Sequence, residues 1–371
     1  MKKLVPKQIH AARAARQFLT PSSRGSSDLD YLEILRSLAP MRPPSYEFPG
    51  TPVCLHDRHI SSDGASEKSV AERVRREGLV VKSRFQHGHV GYVPSDEMPL
   101  YIGAFKKSKS LSWDDSAVLE TLGREGPLQK KDLAEMSGAK GKTLTAALQN
   151  LQANFLVFEQ QLETEWDNPW GAIETEHPEW LEGVPAQFEA RLEVIRRFTH
   201  AHVFSSVQEV KDWSGFTGKD VAALLEELLS CGHLEKATVP EGAFYGQEGI
   251  VDGWGEHYLA TDFEDVPFEP HVAILDSGDF LATAQVSRLK ANYPKMPVLK
   301  YVLIDGEICG IVEGRWGINP FDVTDVHVPE HAREGALRLE IIEKLRRHFP
   351  LPAQRIQKFA GEILDGVKLS S

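Results

Sequence analysis

Cys54, His56, Asp57 and His59 crowd one short stretch, and His87 with His89 adds an H-x-H pair. Thiolate, imidazole and carboxylate are all zinc ligand types. Their spacing matches no standard zinc motif, however, and 14 histidines in 371 residues produce clusters by chance. His327 and His331 straddle Pro329, which opposes the helix that would align ligands four apart. No metal and no other cofactor is therefore expected. The sequence also lacks a Walker loop, a Rossmann glycine fingerprint and a G-x-S-x-G elbow, the usual signals of nucleotide hydrolysis, dinucleotide redox chemistry and serine hydrolysis.

A second chemistry is phosphate binding. Lys140, Lys142, Thr143, Thr145 and Gln149 collect at the start of a predicted helix, where backbone N–H groups and the helix dipole already favour an anion. Thr217 and Lys219 hold the matching place in a second copy, followed there by Asp220, Glu226 and Glu227. Arg73, Arg75, Arg76, Lys82 and Arg84, then Lys106, Lys107 and Lys109, flank the His87 to His89 segment and form another candidate phosphate face.

These residues sit on an internal repeat. Lys131-Asp132-Leu133-Ala134-Glu135-Met136-Ser137-Gly138 aligns with Gln208-Glu209-Val210-Lys211-Asp212-Trp213-Ser214-Gly215, and Ala147 to Leu151 aligns with Leu224 to Leu228 at the same offset. Each copy reads helix, turn, helix, turn, helix, strand. In the first, Ser112 or Asp114 caps a helix, a second helix ends at Gly138, and a third begins at Thr143 with Leu144, Ala147, Leu148 and Leu151 on one face. Phe155 to Phe158 reads as a strand. In the second, Thr217 caps a helix carrying Val221, Leu224, Leu225 and Leu228, and Gly232 ends it before the strand His233 to Val239. This is the pattern of the winged-helix form of helix-turn-helix, which points to double-stranded DNA as the partner. Between the copies, Leu162 to Glu182 holds seven acidic residues, no Lys or Arg, and Trp166, Trp170 and Trp180. It reads as a tryptophan-packed join that faces away from DNA.

Downstream, Val298 to Ile304, then Asp305-Gly306, then Glu307 to Val312 is a strong hairpin signal, and Asp322 to Val328 adds a third strand. Leu337, Ile341, Leu345 and Phe349 keep helical spacing, and Ile356, Phe359, Ile363 and Leu364 predict a further helix. The N-terminal part offers helices over 7–19, 29–38 and 67–77, five prolines in 40–52, and strands at Leu79 to Val81 and Tyr92 to Pro94. The predicted class is α+β, mainly α: tandem winged helices followed by a β-rich, barrel-like domain. The expected divisions are 1–110, 111–185 with the acidic join, 186–260, and 261–371 with terminal helices.

Lys and Arg total 42 against 54 Asp and Glu, a net charge of −12, which rules out a whole-chain polycation. Hydrophobic residues at 41% and charged ones at 26% are those of a folded domain protein. No window approaches the ~20 apolar residues of a membrane helix. The start, Met1 to Val5 followed by Pro6 and Lys7, has no apolar leader core, and the three cysteines form no C-x-x-C. A cytoplasmic monomer without a membrane partner is expected.

Residues 67–101 carry a family likeness. Gly78-Leu79-Val80-Val81-Lys82-Ser83-Arg84, His87-Gly88-His89 and Val93-Pro94-Ser95-Asp96 resemble the "G-x-L-V-R", "R-G-T-x-H" and "V-P-x-E-D" runs of the AlkZ/YcaQ family of winged-helix DNA glycosylases. The Leu299 to Trp316 hairpin resembles that family's "V-L-x-D-G-x-x-x-G" run. The resemblance implies three winged helices and a β-barrel folded around DNA, excision of alkylated purines and, in some members, unhooking of crosslinks. It also implies a Gln-x-Gln or Gln-x-Asp pair near the end of an N-terminal helix. That place reads Met41-Arg42-Pro43-Pro44-Ser45-Tyr46-Glu47 here, without either glutamine. Glu47, with Arg42 and Tyr46 beside it, becomes the candidate water-orienting carboxylate, with His87 and His89 as catalytic candidates and Arg42 and Arg84 as DNA contacts. The expected function is DNA binding with glycosylase chemistry on damaged bases. The alternatives are a non-catalytic lesion sensor or regulator, and a protein-interaction scaffold.

Overall fold

The computed structural model describes residues 6–43, 53, 55, 57–59, 67–160, 168–237, 257–264, 266–315, 322–348 and 356–364. The chain opens with α1 (Pro6–Arg16), α2 (Asp28–Leu38) and α3 (Glu67–Arg76), followed by β1 (Val80–Arg84), β2 (Val90–Pro94) and α4 (Met98–Phe105). Ser27 starts α2 with a reciprocal capping box to Asp30. β1 and β2 pair antiparallel from Val80↔Pro94 to Arg84↔Val90. Met41 exchanges two backbone hydrogen bonds with Tyr92, of 3.1 and 2.8 Å, so the chain leaving α2 runs along the edge of this hairpin. That pairing is what carries Arg42 to the site.

The predicted repeat is present as a repeated order of elements. The first copy is α5 (Trp113–Glu125), α6 (Lys130–Ser137), α7 (Gly141–Ala153), β3 (Val157–Glu159) and β4 (Trp170–Ala172), with the short α8 (Ile173–Glu176) after it. Its core, from Val118 through Leu148 to Ala172, is contained within the copy. The second copy is α9 (Gln187–His202), β5 (Phe204–Ser206), α10 (Val207–Ser214), α11 (Gly218–Ser230), β6 (Leu234–Ala237) and β7 (His257–Ala260), with its strands in the order β5-β7-β6. Ser206 and Thr217 cap α10 and α11 as their types require. The second copy shares one continuous core with α2, the β1–β2 hairpin and α4, which also takes in Phe155 and Phe158 of the first. Trp170 and Trp180 of the acidic join are buried, as their reading as packing residues anticipated.

The C-terminal part comprises β8 (Val272–Asp276), α12 (Phe280–Ala284), α13 (Val286–Asn292), β9 (Val298–Ile304), β10 (Glu307–Arg315), β11 (Asp322–His327), α14 (Gly335–His348), β12 (Lys358–Phe359) and β13 (Glu362–Ile363). The expected hairpin stands, turning at Asp305 and Gly306 with φ 52 and 87. Two expectations are corrected. The described strands β11-β10-β9-β8 form an open antiparallel sheet, not a barrel. Each end strand has its own cover: Asp57 Oδ2 accepts the Ile274 N–H of β8 at 2.9 Å, and the Gln357 and Ala360 N–H groups bond to β11 carbonyls. The end strands thus have no need of one another. Nor do residues 356–364 form a helix. They make the β12–β13 hairpin, because Ala360 and Gly361 take φ 52 and 82, the left-handed pair of a tight hairpin turn.

Buried ion pairs tie early residues to this sheet. Arg58 grips Asp279 at the start of α12, and its neighbour Asp57 is bonded to Lys344 of α14. α1 is locked to the second copy by Arg13, which donates to the His202 and Phe204 carbonyls at 2.8 Å. Overall the fold is mixed α and β, with more residues in helices than in strands.

His202 gives the fold a pH dependence. Its ring is wholly buried, 3.3 Å from Glu209 Oε1. Burial, reinforced by the charge of Arg13, pulls its pKa from 6.5 to about 4. The unfolded chain therefore takes up this proton at higher pH than the folded protein does. The stability it contributes is complete above about pH 6.5 and is lost as pH falls from there toward about 4. Acidification from pH 7 to 5 should remove about 2 kcal/mol through this group alone. Denaturant midpoints measured across that range should fall, and His202→Gln should flatten the slope.

Candidate nucleic-acid interface

Residues 85–89 join β1 to β2 in a tight turn whose shape is set from below. Phe85 is buried, with its ring 5.8 to 5.9 Å from those of Tyr101, Phe105 and Phe155. Gln86 is buried too and donates to the Pro40 carbonyl at 3.1 Å. With these two anchored inward, His87 and His89 are left exposed at the tip. His87 takes a left-handed φ of 54, and its Nε2 donates to the Asp212 carbonyl of α10 at 2.8 Å. That bond fixes its tautomer and leaves Nδ1 as the acceptor nitrogen of the neutral ring.

The α10–α11 turn closes on the same point. Gly215 has φ 74, and a Cβ placed there would stand 2.7 Å from His87 N. Only glycine permits this approach. Thr217 and Lys219 follow immediately, both exposed, with the Thr217 hydroxyl accepting from the Asp220 N–H.

Cations surround the tip. Arg84 donates to the Gly88 carbonyl at 2.9 Å, and Lys107 Nζ lies 3.2 Å from where a Gly88 Cβ would be. Arg42 packs against Gly278, and burial lowers its pKa although Asp276 opposes the shift. The Nε atoms of both Arg42 and Arg84 are buried without a hydrogen-bond partner among the described residues. Partial desolvation, followed by the fields of Arg42, His87, Arg84 and Lys107, lowers the pKa of His89, so its imidazole is neutral near pH 7.

The structure thus brings Arg42, Arg84, His87 and His89 together, and adds Lys107 and the turn before Thr217 and Lys219. It leaves Lys140, Lys142, Thr143, Thr145 and Gln149 elsewhere. They are exposed along α7, whose far end meets the Lys107 N–H through the Ala153 carbonyl. α7 has 13 residues and is about 20 Å long, so Lys140 and Lys142 stand at the end remote from that contact. Glu47, Tyr46, Cys54 and His56 lie outside the described residues. His59 is engaged with the Ser27 carbonyl and Asp57 with Lys344, and no metal-holding group of three occurs among the described residues. Of the expected basic face, Arg73 pairs with Asp28, Arg75 is buried and Lys82 pairs with Glu159, while Arg76, Lys106, Lys107 and Lys109 are exposed. The contribution of Asp212 and Gly215 carried no signal in the sequence beyond the glycine that ends α10.

Residues 162–316 match the family model of the AlkZ-like DNA glycosylases. Along the whole chain the fold is similar to that of the Streptomyces sahachiroi DNA glycosylase AlkZ, at 14% identity and a TM-score of 0.67, covering 96% of this chain and 100% of that one. The resemblance read from the 299–316 hairpin falls inside the matched segment, and that read from residues 67–101 lies outside it. No curated protein sequence matches the chain.

Lys140→Ala combined with Lys142→Ala tests whether α7 belongs to the interface. The pair should weaken duplex binding by roughly three- to tenfold and make its salt dependence shallower, read by fluorescence anisotropy.

Proposed function

We propose that this protein binds duplex DNA through the histidine turn and hydrolyses the N-glycosidic bond of alkylated bases, in the manner of the DNA glycosylase whose fold it shares. The observation that carries the reading is the convergence of Arg42, Arg84, Lys107, His87 and His89 on one turn. In this reading the two repeated three-helix units act as winged helices of a cytoplasmic monomer, and α7 and α11 face the phosphates.

Excision requires the base to leave the stack and a water to attack C1′ as the C1′–N bond breaks. Arg42, Arg84 and Lys107 hold the backbone phosphates around the extruded nucleotide. Glu47, five residues beyond Arg42, orients the water, and neutral His89 accepts its proton. An alkylated purine carries positive charge and departs as a neutral base, so no acid is needed to protonate it.

The test is base release from a methylated duplex, read as alkali-sensitive strand cleavage, beside a gel shift on the same oligonucleotide. Release should be lost in Glu47→Gln and reduced about a hundredfold in His89→Ala with binding retained. Full activity in both variants would remove them from the chemistry. The wild-type rate, after subtraction of acid-catalysed depurination, should fall as His89 protonates below its ordinary range. A second reading, a lesion sensor without catalysis, is favoured by Met41-Arg42-Pro43 standing where the family's glutamine pair stands. Binding without release would support it, and neither activity would favour an interaction scaffold.

A further inference from the structure

A cavity of about 640 Å³ opens between α1, α13 and the β9–β10 hairpin, and shares no lining residue with the histidine turn. Its size is that of sites that enclose small organic ligands. Two aromatic rings line it, Phe268 and Tyr293. Lys7 Nζ sits 4.3 Å from the centre of the Phe268 ring, and burial pushes the Tyr293 phenol up to about 12, so that it stays neutral.

Polar groups of both kinds line it as well. Arg288 supplies donors and is held by Gln285 Oε1. Asn292 also lines the cavity, and its Oδ1 is buried without a hydrogen-bond partner among the described residues. Glu307 stands near Arg288, with its carboxyl pushed above the usual range by burial against the opposing arginine charge.

This lining discriminates among ligand classes. An anion would be drawn by Lys7 and Arg288 but repelled by Asp305 and Glu307, and a cation would meet the reverse. A purely apolar molecule would leave Asn292 and Glu307 desolvated without compensation. A neutral, flat heterocycle with N–H groups beside ring acceptors meets every requirement. One face stacks on the Tyr293 ring, the Phe268 face being covered by Lys7, and the heterocycle's edge exchanges hydrogen bonds with Asn292, Glu307 and Arg288. We propose that this cavity is a binding site for a free nucleobase or nucleoside, separate from the DNA-binding turn.

The test is titration calorimetry of the full chain, without DNA, against adenine, adenosine and guanosine. Inorganic phosphate and ribose serve as controls. A Kd on the order of 100 µM is expected for ligands of this size. Glu307→Met and Asn292→Leu preserve side-chain volume while removing the polar edge, and each should weaken binding about tenfold. Absence of heat with every base and nucleoside at millimolar concentration would overturn the proposal. So would unchanged binding in both variants, or binding of phosphate or ribose as tight as that of the nucleosides. Because DNA is absent, the outcome is independent of whether the turn binds duplex or cleaves glycosidic bonds.

Discussion

Replacing Arg42 and Lys107 together by alanine should lower duplex affinity roughly a hundredfold at low salt and reduce the slope of log affinity against log salt by about two. Both residues approach the His87–His89 tip from outside the hairpin, Arg42 along the edge of β2 and Lys107 from the end of α4. Arg42 carries the larger share. Its guanidinium is already mostly desolvated, so its attraction to a phosphate is screened less by salt. Lys107 is an exposed point charge that loses more of its contribution as salt rises. Anisotropy titrations of the two single variants and the pair, from 50 to 200 mM salt, would separate these effects. Unchanged affinity in the double variant would move the interface away from this turn.

Asp279→Ala is expected to produce the largest loss of stability, about 3–5 kcal/mol. The carboxylate meets Arg58 through contacts of 2.5 and 3.1 Å, with the two side chains only 5% and 2% exposed. It also accepts the Leu281 N–H at 2.9 Å as the N-cap of α12. Alanine therefore strands a buried guanidinium and uncaps a helix in one step. Adding Arg58→Met should restore more than half of the loss, since a fitting apolar side chain no longer needs a counter-charge. Urea denaturation of the wild type, both singles and the double gives the cycle. If Asp279→Ala lost less than about 1 kcal/mol, the pair would not be holding residue 58 to the C-terminal sheet.

Local chemistry was readable in advance. Ser112 and Thr217 cap helices as their types demand, Asp305-Gly306 turns a hairpin, and the repeated order of elements stands. Arg84, His87 and His89 were singled out from a short motif, and they do share a turn. Contacts between distant segments were not readable. Arg73 and Lys82 looked like a free basic face because Asp28 and Glu159, which neutralise them, are remote in sequence. Spacing at Ile356, Phe359 and Ile363 mimicked a helix, yet two left-handed residues between them dictate a hairpin. The end strands of the C-terminal sheet are covered by Asp57 and by residues 357–360, which no periodicity within the strands could reveal.

The contact of Gly215 with His87 also bears on the order in which the molecule is made. The β1–β2 hairpin leaves the ribosome long before residue 215 does, and until α10 and its terminal glycine arrive the histidine turn has no carbonyl to fix His87 and no wall to rest on. The surface read here as DNA-facing therefore matures late in synthesis. A nascent or truncated chain that stops short of Gly278 carries all the cations of the turn without the residue that Arg42 packs against, and a fragment used to map binding must extend past that glycine to be informative.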